Sequence, residues 1–423
     1  MEKQKFDSGD FVEISLSKEK YRGTYLESPE SGLILLKLEN GYNIGFNKKD
    51  ILKINKIKNF KEEKKLDLNF TENLDKPGIV LIVTGGTISS RLNPGKGGVD
   101  FVESPEDLFL YYPEIFNLVN VKKIEVPFMK GSENLDFKDW QKIAKVCGNY
   151  LNDSSISGII ILHGTDSLHF TSAALSFFIR DLNKPVVLTY SQRSTDRASS
   201  DARLNLECAA KVATSNIAEV VVVGHANSED YFCLGIPGTK VRKLHSSKRD
   251  AFKPVNRKAF LEISRDSIKK ISDYKLIDKN RKSFLDFKFE EKIGLIKFYP
   301  GQDPKILDYY VKNGYKGLII EMLGLGQIAT SGSRNSWIKK LKEIQKKGIF
   351  VCATSQTIFG RTNPYVYVTG RELVDSGVLY LEDMLSETAL VKLGWVLGHK
   401  DWDIRKKMLE NFSWEINDRI EFE

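Results

Sequence analysis

Two short segments of this sequence place threonine directly after glycine, each at the end of an apolar run. One is residues 80–88, VLIVTGGTI, and the other is residues 159–167, IIILHGTDS. Ligand sites in open α/β sheets lie just beyond the carboxyl ends of strands, so the two loops are expected to face one crevice. Gly85 and Gly86 would let the backbone approach a substrate closely and offer N–H groups to a developing oxyanion. Taken singly, each motif is equally well explained by a tight turn followed by a helix cap.

A threonine hydroxyl is a weak nucleophile at neutral pH, so these motifs require a neighbouring base. The five histidines form no H-E-x-x-H or H-x-H pair, and the G-x-S-x-G motif of serine hydrolases is absent. A lysine is chemically possible as the base, because desolvation or nearby cations can neutralise an ammonium group near neutral pH. The residues alone leave the identity of that base open.

Other glycine and cysteine patterns argue against nucleotide and metal binding. Residues 95–97, GKG, lack the earlier glycine of a P-loop and the Ser or Thr that follows its lysine. Residues 324–329, GLGQIA, imitate a dinucleotide fingerprint, but the next apolar run ends in TSQ, with no acidic residue for a ribose hydroxyl. The four cysteines lie far apart without zinc spacing, and we therefore expect no metal site.

The elements that must position these loops follow an α/β pattern. From Gly78 onward, apolar runs alternate with amphipathic segments, which is typical of βαβ units and a largely parallel sheet. The expected strands are 78–83, 123–127, 158–162, 185–189 and 219–223, with helices at 136–151, 167–180 and 199–213. A charged stretch at 264–292 precedes a second set, with strands 293–298, 317–322 and 348–353 and helices near 304–312, 333–347 and 382–397.

The first 58 residues differ from the rest, because short β-type runs alternate with turn residues. Asn40-Gly41 between apolar runs predicts a hairpin, and the segment as a whole predicts a small, strongly curved sheet or barrel of SH3-like size. A length of 423 residues suggests two or three domains. The expected division is a β module at 1–58, a linker at 59–76, an α/β domain with the active site at 77–270, a linker at 271–290 and a smaller α/β domain at 291–423.

Composition sets limits on the class of protein. A hydrophobic fraction of 41% is enough to build real cores and excludes a disordered chain. The formal charge of +8 permits an anionic partner without requiring one. No apolar run approaches the roughly 18 residues that span a bilayer, and the N-terminus has no secretory pattern. We therefore expect a cytoplasmic protein without membrane association.

Together, the two threonine motifs resemble those of the L-asparaginase/glutaminase family. Residues 238–252, GTKVRKLHSSKRDAF, are similar to the third element of that family, a lysine nine positions before a phenylalanine. The resemblance extends from Pro77 to His399. It implies an asparaginase-like fold, in which a parallel-sheet α/β domain is followed by a smaller C-terminal α/β domain. The N-terminal β module is additional to that fold.

The resemblance also implies a role for each site residue. Thr87 is the expected nucleophile that attacks the side-chain amide carbon of the substrate. Thr165, Asp166 and Lys243 match the activating relay, with Lys243 as the base acting through Thr165. The expected substrate-binding residues are Gly86, Ser132, Glu133 and Gly164, with Ser132 on the substrate carboxylate and Glu133 assisting recognition of its ammonium group. No metal or cofactor is implied in this chain.

A narrower resemblance points to the D subunits of archaeal glutamyl-tRNA(Gln) amidotransferases. It is carried by residues 40–45 in the β module, by residues 191–201, SQRSTDRASSD, and by residues 241–252. It implies a glutaminase that passes ammonia to the E subunit, which uses ATP and Mg²⁺ to convert Glu-tRNA(Gln) to Gln-tRNA(Gln). The implied assembly is a heterotetramer built on a homodimer, with tRNA(Gln) bound mainly by the E subunit. The alternative is a free-standing L-asparaginase with an extra β module, and either glutamine or asparagine could be the amide donor.

One position departs from the family pattern. A mobile lid tyrosine is expected about seven residues after Thr87, where this chain has residues 93–95, NPG. Either Tyr111, Tyr112 or a residue of a partner replaces it, or lid closure is altered. The departure predicts a low rate of glutamine hydrolysis in the absence of the partner.

Overall fold

Three sheets of four or more strands organise the part of the chain that the computed structural model describes, which is residues 6–28, 30–40, 42–58, 75–93, 98–101, 112–195, 197 and 199–419. The sheets have five, eight and four strands and follow one another along the chain. Within these residues, no helix is long and apolar enough to cross a lipid bilayer.

The N-terminal sheet is antiparallel throughout, in the order β4-β3-β2-β1-β5. Alternate residues of its strands face inward, as the two-residue period of a half-buried strand requires, and Val12, Ile14 and Leu36 form the centre of a small core. The predicted β module is thus confirmed, although Gly41 of the predicted hairpin turn lies outside the described residues. Its strands are β1 (Phe11–Ser15), β2 (Lys20–Leu26), β3 (Leu33–Leu38), β4 (Asn43–Asn47) and β5 (Lys53–Lys58).

The second part of the chain contains the eight-stranded sheet and, among its described residues, four α-helices. Its strands are β6 (Gly78–Val83), β7 (Ser90–Asn93), β8 (Gly98–Phe101), β9 (Asn120–Glu125), β10 (Gly158–Leu162), β11 (Ile179–Arg180), β12 (Val186–Thr189), β13 (Val220–His225), β14 (Phe232–Pro237), β15 (Val241–Lys243), β16 (Phe252–Pro254), β17 (Leu261–Ser264), β18 (Ile268–Lys270) and β19 (Phe284–Leu285). Its helices are α1 (Ile115–Leu118), α2 (Phe137–Leu151), α3 (Leu168–Phe178) and α4 (Ala202–Ala213).

This sheet has the strand order β18-β17-β14-β13-β12-β10-β6-β9. The five strands from β13 to β9 are parallel, whereas β14, β17 and β18 are added in antiparallel pairing at one edge. Because β6 and β10 are parallel neighbours, their carboxyl ends lie side by side. The two threonine motifs leave the sheet from those two ends.

The third part is a four-stranded parallel sheet with helices around it, in the order β20-β21-β22-β23. Its strands are β20 (Ile293–Lys297), β21 (Gly317–Met322), β22 (Phe350–Ser355) and β23 (Leu379–Tyr380), and its helices are α5 (Ile306–Lys312), α6 (Ile338–Lys346), α7 (Val368–Asp375), α8 (Ser386–Leu397) and α9 (Ile404–Leu409). Two α/β units in succession confirm the predicted fold class.

The large sheet is covered on both faces, which explains why its central strands are apolar without alternation. Val80 and Ile82 of β6 pack on one side with residues of α2, α3 and α8. Ile79 and Leu81 face the other side and pack with residues of α4. The helix α8 of the C-terminal unit thus shares a core with the sheet that carries the threonine loops, and Trp395 stacks on Phe177 at a centroid distance of 5.5 Å.

Several predicted boundaries differ from the structure. Strands 78–83, 158–162 and 317–322 are as predicted, but β9 begins at Asn120, three residues before the prediction. The helix predicted at 167–180 ends at Phe178, because the chain enters β11, which pairs with β19. The helix predicted at 333–347 begins only at Ile338. The short helices α7 and α9 and the antiparallel edge strands were not predicted.

Candidate active site

The Thr87 loop is joined to the end of β10 by backbone and side-chain contacts. The backbone N–H and the hydroxyl of Thr84 both donate to the carbonyl of Leu162, at 3.1 and 2.8 Å. Gly85 and Gly86 follow with φ angles of 113° and 84°, in the region that favours glycine. One turn of 3₁₀ helix then begins at Thr87. The loop therefore leaves β6 along a path that only this glycine pair accommodates without strain.

Gly86 also allows a close approach of the second loop. A Cβ atom at Gly86 would lie 2.3 Å from the Cα atom of Gly164, which real Cβ atoms do not tolerate. Thr87 and Thr165 each follow one of these two glycines directly. The structure thus brings the two threonine motifs together, as the sequence predicts.

Lys243 reaches the second loop from β15. Its Nζ donates to the hydroxyl oxygen of Thr165 at 2.8 Å and lies 2.8 Å from Oδ1 of Asp166. Thr165 is buried, the Lys243 side chain is 13% exposed and that of Asp166 is 61% exposed. The Lys243 side-chain nitrogen is therefore held at the rim of the site, within hydrogen-bond distance of one hydroxyl and one carboxylate. Three of the four predicted catalytic residues form one hydrogen-bonded set.

β15 holds Lys243 in place by pairing with β16. The strands are antiparallel, with Lys243 opposite Phe252 and Val241 opposite Pro254. Val241 and Phe252 are buried, and the ring of Phe252 contacts Tyr190 at a centroid distance of 4.5 Å. The phenylalanine nine positions after the lysine is thus the apolar anchor of the ribbon that carries it.

Ser132 connects the second loop to a third. Its hydroxyl oxygen accepts from the backbone N–H groups of Asp166 and Ser167, at 3.0 and 3.4 Å. A Cβ at Gly164 would lie 2.8 Å from the Ser132 side chain, so glycine is needed for this contact. The Ser132 hydroxyl retains its own hydrogen as a donor. Glu133, in contrast, is exposed, and its carboxylate accepts from the Asn134 side chain at 3.0 Å.

His163 in the second loop and His169 in the first turn of α3 are both packed inside the protein. His163 is buried, with Nδ1 2.7 Å from the carbonyl oxygen of Gly164 and Nε2 2.9 Å from the hydroxyl of Thr171. Burial lowers its pKa to about 4. Burial, followed by the charges of Arg242 and Lys243, lowers the pKa of His169 to about 3. Both rings are neutral at pH 7, and His163 fixes the loop through both nitrogens.

A fourth loop, which contains the motif at residues 191–201, packs on the segment that follows Thr87. The sequence alone assigns no role to this motif. The Asp201 carboxylate accepts from the backbone N–H groups of Gln192 and Arg193, at 2.9 to 3.1 Å. The hydroxyl of Thr195 donates to the carbonyl of Ser90 at 3.1 Å. The loop after β12 therefore supports the segment that follows Thr87.

The expected lid tyrosine has no counterpart that the structure can place. Pro94, Gly95 and Tyr111 lie outside the described residues. Tyr112 is described, and its side chain is only 4% exposed in the core beside α1. A side chain packed in this way is not available as a mobile lid, so that alternative is disfavoured.

No metal centre competes with this arrangement in the described ranges. No group of three or more His, Cys, Asp or Glu side chains there is placed to hold a metal ion. The four cysteines are buried as free thiols at separate positions.

Family models match three stretches of the chain. The asparaginase N-terminal model matches residues 78–275, and the glutaminase/asparaginase C-terminal domain model matches residues 292–408. The structure is similar to the thermostable L-asparaginase from Thermococcus kodakarensis, with 28% identity, a TM-score of 0.71, and coverage of 81% of this chain and 100% of that one. For L-asparaginase I from Vibrio cholerae the values are 26%, 0.69, 81% and 99%. The fold and site therefore define an asparaginase-family amidohydrolase.

The rest of the chain narrows this class. Residues 6–57 match the GatD N-terminal domain model. The chain is 40% identical over 443 residues to the D subunit of glutamyl-tRNA(Gln) amidotransferase from Pyrococcus horikoshii, covering 100% of this chain and 98% of that protein. It is 39% identical over 425 residues to the corresponding D subunit from Methanococcus maripaludis, covering 99% and 100%. The chain belongs to the family of glutamyl-tRNA(Gln) amidotransferase D subunits.

Proposed function

We propose that this chain is the glutamine-hydrolysing subunit of a tRNA-dependent amidotransferase. The main support is the hydrogen-bonded group of Lys243, Thr165 and Asp166 beside the Thr87 loop. The chain that contains this group is about 40% identical to glutamyl-tRNA(Gln) amidotransferase D subunits. The match of residues 6–57 to the GatD N-terminal model favours this function over a free-standing L-asparaginase. The two asparaginase neighbours are matched over 99–100% of their length but leave about a fifth of this chain uncovered.

In the proposed mechanism, the Thr87 hydroxyl attacks the side-chain amide carbon of glutamine. Lys243, as the neutral amine and acting through Thr165, takes the hydroxyl proton and returns it through the same relay to the departing nitrogen as the C–N bond breaks, so that ammonia leaves. Water then hydrolyses the acyl-enzyme to glutamate and restores Thr87. The N–H groups that follow Gly85 and Gly86 are suited to stabilise the oxyanion, because they are fixed before the reaction begins.

Substrate binding is assigned to the loops around the relay. The free O–H of Ser132 would donate to the substrate carboxylate, and Asp166, which is largely exposed beside Lys243, would accept from the substrate ammonium. Gly86 and Gly164 are assigned to the binding site because their lack of side chains lets the loops that carry Thr87, Thr165 and Ser132 approach one another. Glu133 is placed in the same group, where it would have to turn from its hydrogen bond with Asn134 to reach the ammonium.

The partner assignments are part of the same proposal. Ammonia would pass to the E subunit, which uses ATP and Mg²⁺ to form Gln-tRNA(Gln) from Glu-tRNA(Gln) in the cytoplasm. The complex would be a heterotetramer built on a homodimer of this chain, with most tRNA contacts on the E subunit. The proposed division into 1–58, 77–270 and 291–423, joined by linkers at 59–76 and 271–290, is supported by family-model matches that end close to these limits.

The decisive experiment measures glutamine hydrolysis by the purified chain, alone and with the co-expressed E subunit and Glu-tRNA(Gln). We expect a low rate for the chain alone, a sharp rise with both additions, and Gln-tRNA(Gln) as product. Thr87→Ala should abolish hydrolysis in every condition. A rate that is high and constant without the partner, with asparagine preferred, would instead identify a free-standing asparaginase.

A further inference from the structure

The segment that carries Lys243 is held by the C-terminal α/β unit at three points between residues 239 and 242. The Thr388 hydroxyl donates to the carbonyl of Thr239 at 2.9 Å. Lys240 Nζ lies 2.8 Å from Oδ2 of Asp383, and both side chains are buried. Arg242 Nη2 lies 2.9 Å from Oε1 of Glu387. The last of these contacts is made by the residue directly before the lysine.

Side chains of β15 point alternately to two faces, one toward the C-terminal unit and the other toward the candidate active site. Successive side chains of a strand point to opposite faces, whereas residues two apart share a face. Lys240 and Arg242 accordingly meet the C-terminal unit, while Lys243 points to Thr165 and Asp166. A displacement of the Arg242 side chain would therefore shift the backbone of β15 at Lys243, although Arg242 does not contact the side-chain nitrogen of Lys243.

Glu387 is suited to fix Arg242 because its alternatives are few. It lies in the first turn of α8 and its side chain is 9% exposed. One carboxylate oxygen contacts Arg242, and the other is buried without a hydrogen-bond partner among the described residues. Among the described residues, Glu387 also lies 4.0 Å from Nε2 of His169, and that ring is neutral. Arg242 is therefore the cation in direct contact with this carboxylate, whereas Lys297 acts on it without forming an ion pair.

We propose that Glu387 is a positioning residue for the glutaminase reaction, which through Arg242 sets the location of Lys243 relative to Thr165. This inference rests on the proposed function and adds to it a control point on the C-terminal α/β unit. Misplacing a reacting group by about 1 Å can cost roughly a hundredfold in rate. The side chains of Glu387 and Arg242 form no hydrogen bond with Thr165, Asp166 or Lys243 among the described residues. We therefore expect substitutions at these two positions to lower kcat through the position of Lys243.

The test is a double-mutant cycle with Arg242→Gln, Glu387→Gln and the combined variant, each assayed for kcat and KM on glutamine in the full complex. We expect each single variant to lower kcat by about tenfold or more, with KM changed less than twofold, because the lost interaction acts on Lys243 in the transition state. The double variant should be no worse than either single one, since both act through one contact. The double variant also leaves no unpaired buried charge, so it remains testable if a single variant folds poorly.

A matched control separates positioning from general stability. Glu207 bridges Arg203 and Arg265 at 3.0 Å each and does not contact β15, so Glu207→Gln should leave kcat unchanged. Multiplicative losses in the cycle, a rise in KM with kcat unchanged, or full activity of Glu387→Gln would each overturn the positioning role. If Thr87→Ala also retained full hydrolysis, the proposed function itself would be wrong. An inactive Thr87→Ala beside a fully active Glu387→Gln would refute the positioning role alone.

Discussion

The ammonium nitrogen of Lys243 lies 2.8 Å from the hydroxyl oxygen of Thr165, across 78 positions of sequence. The two residues lie on elements with different strand pairing, one parallel and the other antiparallel. Thr165 follows a central parallel strand, whereas Lys243 lies on β15, which pairs with β16 as a separate two-stranded antiparallel ribbon. The contact therefore exists only when both the large sheet and this ribbon are assembled. Activity of this site should report on the packing of the whole domain.

Replacing Lys243 should abolish hydrolysis even when positive charge is kept. Lys243→Met removes the proposed base, and Lys243→Arg places there a cation that cannot be deprotonated at neutral pH. General base catalysis contributes roughly 10²–10⁴-fold, so both variants should lose at least a hundredfold in kcat. Steady-state assays on glutamine provide the measurement, and the exposed Lys248→Met is the matched control. Near-normal kcat for Lys243→Arg would show that the charge alone, and not proton transfer, is needed.

The elements around this site could be predicted where local sequence determines them. β6 and β10 are short apolar runs followed by Gly-containing turns, and their bounds agree with the prediction. The start of α6 could not be predicted, because Trp337 is anchored by a hydrogen bond to the distant carbonyl of Gln302. A local helical pattern contains no information about such a contact.

The sequence indicates the residues of the candidate site but not the contacts that support them. Motif resemblance indicated Thr87, Thr165, Asp166 and Lys243, because glycine and hydroxyl residues at strand ends are specific in combination. The contact between Arg242 and Glu387 joins two α/β units and has no motif of its own. An arginine beside a lysine in a basic stretch resembles a solvated charge until the tertiary structure places a buried carboxylate opposite it.

Gly86→Ala should remove activity and lower stability more than its backbone angle alone explains. The backbone of Gly86, with φ 84° and ψ 175°, lies in a region that costs a non-glycine residue roughly 1–3 kcal/mol, and the new Cβ would also overlap the backbone of Gly164. Gly301 offers a matched control, because its φ is 86° but a Cβ there would meet nothing within 4 Å. Thermal unfolding should show a larger loss for Gly86→Ala than for Gly301→Ala. Equal losses would mean that the two threonine loops are not in close contact.

Acid should destabilise the protein through His163. Because its folded pKa of about 4 lies below the usual 6.5, the unfolded chain binds the proton more readily. Stability is therefore complete above pH 6.5 and falls as the pH drops from there toward 4. At about 1.4 kcal/mol per pH unit over this interval of about 2.5, the loss reaches roughly 3 kcal/mol.

The comparison that isolates this effect is His163→Gln against the wild-type chain, with unfolding free energy measured between pH 7 and pH 4. The variant should lose less stability over this interval, although it starts from a lower value at pH 7 because two loop contacts are weakened. Exposed His245→Gln should follow the wild-type pH dependence. Parallel curves for wild type and His163→Gln would rule out a buried neutral histidine at this position.

The ion pair between Lys392 and Glu415 should contribute strongly to the stability of the protein, because it fixes α8 to the segment that follows it. Both side chains are fully buried, with Nζ 2.7 Å from Oε1, and Glu415 also accepts from the backbone N–H groups of Phe412 and Ser413. Removing one charge of a buried pair leaves the other uncompensated, at a cost of about 3–5 kcal/mol. Glu415→Gln should therefore lower the urea midpoint strongly.

The double variant Lys392→Met/Glu415→Gln should recover much of that loss, because no buried charge then lacks a partner. An exposed pair provides the contrast: Asp273→Asn, which removes the negative charge of the pair with Lys270, should leave the midpoint nearly unchanged. Since α8 carries Glu387 in its first turn and Lys392 further along, Glu415→Gln should also lower kcat under conditions where it remains folded. A strongly destabilised Glu415→Gln with unaltered kcat would show that the first turn of α8 keeps its place independently of the buried pair.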